Sequence, residues 1–137
     1  MHRRELVPAL LGLAASLAAK TPAILRGRLQ HGPQRRPALH TADGQSVRLE
    51  GDEDTLKVLG DVRLAGFELE LTGEFTGPDR FRVGPFYLRS LLVIKQGGKY
   101  VVTYWCDVCS IRSYTPGPCV CCQQETELDL RPQESQP

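Results

Sequence analysis

Residues 63–75 read RLAGFELELTGEF, and this stretch sets the fold class. Phe67, Leu69 and Leu71 fall on one side of an extended chain, with Glu68, Glu70 and Thr72 on the other. That period of two is what a half-buried strand requires. It predicts a solvated face for Glu68 and Glu70, and a bulge or bend at Gly73. Downstream, Gly77-Pro78-Asp79 is a turn, and residues 80–83 form a further strand with Phe81 and Val83 inward, ended by Gly84-Pro85. Residues 91–94 and 100–104 then flank Gln96-Gly97-Gly98-Lys99, a hairpin signal in which Gly-Gly supplies the positive backbone angles of a tight turn. Upstream, residues 46–50 alternate polar and apolar. Asp52 or Asp54 is placed to cap a short helix over residues 53–59, with Leu56 and Leu59 on one face and Gly60-Asp61 closing it.

The whole chain has 137 residues, 41% hydrophobic and 24% charged. These values fit one small soluble domain and exclude a multidomain enzyme or a polytopic membrane protein. Thirteen glycines and ten prolines favour turns and short strands over long helices. The expected class is mainly β, a small rolled sheet or partly open barrel over residues 39–104. The order of strands, with one short helix among them, resembles an oligonucleotide/oligosaccharide-binding (OB)-like barrel. The likeness is architectural and implies no particular ligand.

All five cysteines lie between residues 106 and 122. Cys106/Cys109 and Cys119/Cys122 share the C-x-x-C spacing, which lets a turn face both sulfurs at one point while its amides bond to the thiolates. Two such knuckles supply the four-sulfur tetrahedral shell that zinc prefers. The metal ligands expected are therefore Cys106, Cys109, Cys119 and Cys122. Cys121 is the spare, either an alternative ligand or a free thiol open to oxidation. Residues 125–130 alternate again and are expected to return as a last strand. Strand, knuckle, loop, knuckle, strand resembles a zinc ribbon, and that resemblance implies a closed, structural site. Disulfides and an iron–sulfur cluster are the competing uses of these thiols. Asp107 and Glu125 beside the cluster are expected to raise thiol pKa values, which opposes thiol–disulfide redox chemistry. The Trp105-Cys106 pair also resembles small RNA-binding zinc fingers, although in those one residue separates Trp from Cys. Tyr104, Trp105 and Tyr114 are the aromatics available for stacking on bases, with packing against the knuckles the preferred reading.

The charge is divided. Residues 1–40 hold seven basic side chains against one acidic, whereas residues 41–137 hold ten basic against fifteen acidic, a balance of −5. That acidity opposes nucleic acid as a partner and leaves a protein partner. Residues 9–19, ALLGLAASLAA, are apolar but too short to cross a bilayer, which takes about 20 residues. They suit the hydrophobic region of a signal helix. Arg3-Arg4-Glu5-Leu6-Val7 resembles a twin-arginine export signal, which implies a periplasmic or secreted bacterial protein, with a cytoplasmic one as the alternative. The chain is thus expected to divide into a signal peptide (1–20), a flexible basic linker (21–38), the β domain (39–104), the cysteine knuckle (105–130) and a disordered tail (131–137).

Catalytic machinery is not expected. His2 and His31 fall in the leader and linker, leaving His40 as the one histidine near the body. Asp52, Glu53 and Asp54 read as a helix start rather than an acid–base site. Phosphate loop, serine elbow and dinucleotide fingerprint are all missing from the sequence. A body this small buries a limited core, and a structural metal offsets that by tying the last strands to the sheet.

Overall fold

The computed structural model describes residues 22–133. The expected export signal over residues 1–20 lies outside them. The strands are β1 (Ala23–His31), β2 (Pro37–His40), β3 (Ser46–Glu50), β4 (Glu68–Gly77), β5 (Arg80–Val83), β6 (Leu91–Lys95), β7 (Gly98–Cys106), β8 (Ile111–Ser113) and β9 (Glu127–Pro132). Two short helices, α1 (Glu53–Leu59) and α2 (Tyr87–Ser90), interrupt them.

Five strands close into a barrel in the order β1-β2-β3-β5-β4 and back to β1. Neighbours run antiparallel except β3 and β5, which are parallel with Leu49 opposite Phe81. Closure leaves these strands no open edge. Leu29, Leu39, Val47, Leu49, Leu69, Leu71, Phe81 and Val83 fill the interior, each from the inward side of its strand. The exposed–buried alternation of Ser46, Val47, Arg48 and Leu49 follows the sequence pattern, because only one face of a barrel strand is dry.

The helix forms as its cap predicts: the Asp52 side chain accepts the Thr55 N–H at 2.9 Å. Its buried face is Thr55, Val58 and Leu59. Leu56 is 39% exposed, so the Leu56/Leu59 face expected from sequence is corrected. Leu59 also ties back to β1, its carbonyl oxygen 2.7 Å from His31 Nε2.

Three further expectations are overturned. Within the described residues, the flexible linker expected over residues 21–38 is instead β1 and the first half of β2, two walls of the barrel. Its alternation was hidden because the inward position between Leu25 and Leu29 is Gly27, which breaks the apolar period. A Cβ there would lie 2.4 Å from the His40 carbonyl oxygen, so the crossing of β1 over β2 requires glycine. The disordered tail expected over residues 131–137 is corrected at its start, since β9 runs through Arg131 and Pro132; residues 134–137 lie outside the described residues. Glu70, expected in solvent, is 8% exposed. The reason is topological: Glu68–Leu71 of β4 pair with β1 on one side and β6 on the other.

That double pairing carries the sheet out of the barrel. From β4 it continues to β6, then to β7, which pairs with both β8 and β9. The β6–β7 hairpin turns on Gln96 (φ 52°) and Gly97 (φ 80°), one residue earlier than the Gly-Gly expected. The far end of β7 delivers Cys106, itself buried, to the first cysteine turn.

Candidate metal centre

Two turns of the same construction meet beyond the end of β7. In the first, the Cys106 carbonyl accepts the Ser110 N–H at 2.8 Å, with Ser110 at φ 56°. In the second, the Cys119 carbonyl accepts the Gln123 N–H at 2.9 Å, with Gln123 at φ 63°. Each turn thus spans four residues from its first cysteine and closes on a left-handed residue. Cys109 and Cys122 take the equivalent third position after that cysteine. In both, an amide points at the first sulfur: Cys109 N–H to Cys106 Sγ and Cys121 N–H to Cys119 Sγ, each at 3.4 Å.

The Sγ atoms of Cys106, Cys109, Cys119 and Cys122 all lie within 4.8 Å of one another, and those of Cys106 and Cys122 are 3.6 Å apart. A tetrahedral shell with sulfurs about 2.3 Å from an ion has its sulfurs about 3.8 Å apart. A disulfide would need about 2.05 Å, and all five cysteines are free thiols. The four therefore stand where they can hold one metal ion. Cys106 and Cys119 are buried, Cys109 and Cys122 half-buried, and Cys121 is exposed and outside the group. No histidine joins the group among the described residues. His40 is exposed on β2.

Electrostatics within the cluster differ from the sequence expectation. The N–H groups of Cys122 and Cys121 stabilise the Cys119 thiolate and bring its pKa down to about 7. Cys109 is pushed up, first by the Cys121 thiol beside it and then by burial. At Cys106 the Cys109 amide pulls the value down, but burial and the thiols of Cys122 and Cys119 hold it above its ordinary range. Backbone amides and neighbouring sulfurs set these values; Asp107 and Glu125 are not among the causes.

Sequence reasoning missed the residues that fasten this cluster to the barrel. Arg63, expected to begin a strand, sits in a single 3-10 turn (Val62–Leu64) between α1 and β4. Its guanidinium is held by Asp61 through Nε–Oδ1 at 3.0 Å and Nη2–Oδ2 at 2.8 Å. Its Nη1 donates to the Thr126 carbonyl at 2.9 Å, and its plane lies 5.4 Å over the Tyr104 ring. Thr126, itself buried, donates its hydroxyl to the Gly117 carbonyl at 2.9 Å. The second knuckle is thereby bolted to the floor of the barrel. The one local cue was Asp61, a residue suited to capping the turn it does cap.

Two of the three aromatics are taken. Tyr104 is fully buried, and Arg112 stacks 4.8 Å over the Trp105 ring while donating to Asp129 at 2.9 Å. Tyr114 is 46% exposed. A separate groove of about 540 Å³ runs between residues 32–38, β3 and the β4–β5 turn, lined by Arg36, Arg48, Gln34, Ser46 and Asp79 among others. No protein family, curated protein or solved structure matches the chain.

Proposed function

We propose that this is a non-enzymatic, exported, metal-binding β protein. In this reading a zinc ion on Cys106, Cys109, Cys119 and Cys122 stabilises the fold, and the barrel serves a binding or scaffold role. The single observation that carries the reading is the convergence of four thiols within 4.8 Å through two turns of identical register. Four thiolates fill a tetrahedral zinc shell and leave no position for substrate or activated water. The metal's task is therefore to hold chain segments together. Spacing this close suits one ion and leaves no space for a multi-iron cluster between the sulfurs, which favours zinc over an iron–sulfur centre.

Two finer assignments belong to the same proposal. The strand order 1-2-3-5-4, with α1 between β3 and β4, supports an OB-like barrel. The β7–knuckle–β8–knuckle–β9 sequence supports a zinc-ribbon-like appendage. The groove bearing Arg36 and Arg48 supports a binding role. Twin-arginine export rests on Arg3-Arg4-Glu5-Leu6-Val7.

Elemental analysis with thiol counting tests the metal on full-length protein purified without added metal or reductant. About one zinc per chain, with four thiols reactive only after denaturation or chelation, is expected. Chelation should lower the melting temperature by more than about 10 °C. Metal-free protein with two disulfides, or a coloured iron centre, would overturn the zinc assignment.

A further inference from the structure

Outside the barrel the sheet ends on β9. This strand pairs with β7 from Glu127 to Pro132 and with no other strand among the described residues. Neighbouring residues of a strand turn their backbone groups to opposite sides, and two contacts show which side each takes. Thr103, directly across on β7, donates its hydroxyl to the Asp129 carbonyl at 2.6 Å, so the odd-numbered residues face β7. Thr126 faces the other way: its carbonyl accepts from Arg63 at 2.9 Å and its N–H reaches the Gly117 carbonyl at 3.4 Å. Pro132 is also even-numbered, and a residue without an N–H suits a place turned from the ladder. Between Thr126 and Pro132, the N–H and C=O of Leu128 and Leu130 therefore point outward, and no hydrogen bond takes them among the described residues. Glu127 and Arg131 are exposed on the same strand. Glu127 has no ion-pair partner among the described residues, and Arg131 has only Asp129 at 3.9 Å.

We infer that β9 is a dimerisation edge, on which a second copy of this chain lays its own β9 antiparallel. One register uses all the outward groups symmetrically: Leu128 against the partner's Leu130, and Leu130 against the partner's Leu128. Each of these pairs exchanges two N–H···O=C bonds, and the two-fold axis passes beside Asp129. The same register sets Glu127 opposite the partner's Arg131 at both ends, where opposite charges across strands attract. It also brings Leu128 and the partner's Leu130 together on the face that packs against the core. Asp129 meets the partner's Asp129 at the axis, but Arg112 at 2.9 Å and Arg131 at 3.9 Å already flank each carboxylate. The pairing stops where Thr126 is already bonded and where Pro132 offers no N–H. A second copy fits better than an unrelated peptide, because a single strand carries both members of each new ion pair. Soluble proteins cover or block an open edge of this kind, and here the partner supplies the cover. The metal assignment plays no part in this.

Sedimentation equilibrium on the full-length protein tests the edge at about 100 µM, a concentration suited to the weak association that a short interface gives. Wild type is expected at twice its 15.2 kDa. Hydrogen exchange should show the Leu128 and Leu130 amides protected at that concentration and exposed after about hundredfold dilution. The Arg131 amide, which faces β7, should stay protected in both. Glu127→Arg and Arg131→Glu each set like charges opposite one another and should weaken dimerisation at least about tenfold. The double variant restores opposite charges and should return to within about threefold of wild type. Both side chains are exposed, and the rescue separates a lost interface from a damaged fold. A monomer at about 100 µM would overturn the inference. So would a dimer whose Leu128 and Leu130 amides ignore dilution, or a double variant no tighter than the singles.

Discussion

At the scale of single residues, Glu70 shows how topology changes the meaning of a side chain. Its Oε2 receives Arg26 Nε and Nη2 at 2.8 and 2.6 Å, and Lys99 Nζ lies 3.1 Å from Oε1. Burial alone would raise its pKa, but the bonds from Arg26 and Lys99 win and hold it below the ordinary carboxylate value. A depressed folded pKa contributes stability that is present above the unfolded value and lost as pH falls through the folded one. Glu70→Gln should therefore cost about 1–2 kcal/mol at neutral pH, a moderate figure because Arg26 and Lys99 are half exposed and regain water. The gap between variant and wild type should narrow as pH drops below about 4.5. Urea melts at a series of pH values check this, and a gap that widens in acid would refute it. The ligand cysteines were legible at this scale because C-x-x-C spacing is a local property of the chain. The ion triad around Glu70 was not, since its members come from strands 44 and 29 residues apart in sequence.

Elements reveal a second kind of information. Alternation located β3 and β5 to within a few residues, because each has one dry face and one wet face, whereas β6 and β7, buried on both faces over Leu91–Val93 and Val101–Tyr104, were found from the hairpin signal between them. β1 escaped, as its inward positions include a glycine and its outward ones include two arginines, Arg26 and Arg28, that mimic a basic linker. Gly73 in β4 was expected at a bulge or bend; it sits where β4 passes from β6 to β5, while the register shift itself falls between Phe75 and Gly77. A Cβ on Gly73 would approach the Arg82 carbonyl oxygen to 1.9 Å. Backbone, not a flexible side chain, is in the way. Gly73→Ala should thus cost at least about 3 kcal/mol or prevent soluble expression. Denaturant melts measure it, and a loss under about 1 kcal/mol would show that β4 and β5 separate there at little cost. The two knuckles are alike for a related reason. A left-handed residue four positions after the first cysteine closes each turn, so Cys122, rather than Cys121, matches Cys109.

Across the whole molecule, a barrel with its own apolar interior is joined to a metal knuckle through β7, β9 and the Arg63 clamp. Most core residues come from β1–β5 and α1, with Leu64, Tyr87, Leu91, Val93, Val102 and Tyr104 completing the same cluster, and none of them is a cysteine. Stability should therefore be divided between the two. On metal removal, hydrogen exchange at residues 104–126 should accelerate strongly while amides of Leu29, Val47, Leu69 and Leu71 stay protected. Uniform loss of protection would instead mean a single cooperative unit that cannot close without the ion. The sequence by itself determined a mainly β chain, the capped helix, the strands with unbroken alternation and the two paired-cysteine turns. Each of these is written within a few consecutive residues, as periodicity, capping chemistry or spacing. Tertiary structure alone decided that β1 and β2 complete the barrel, that Glu70 is buried between cations and that Asp61–Arg63 fastens the second knuckle. It alone also decided that Cys121 lies outside the quartet. Those outcomes depend on which distant strands become neighbours, and pairing across a closed sheet is fixed by the packing of the whole core rather than by any segment within it.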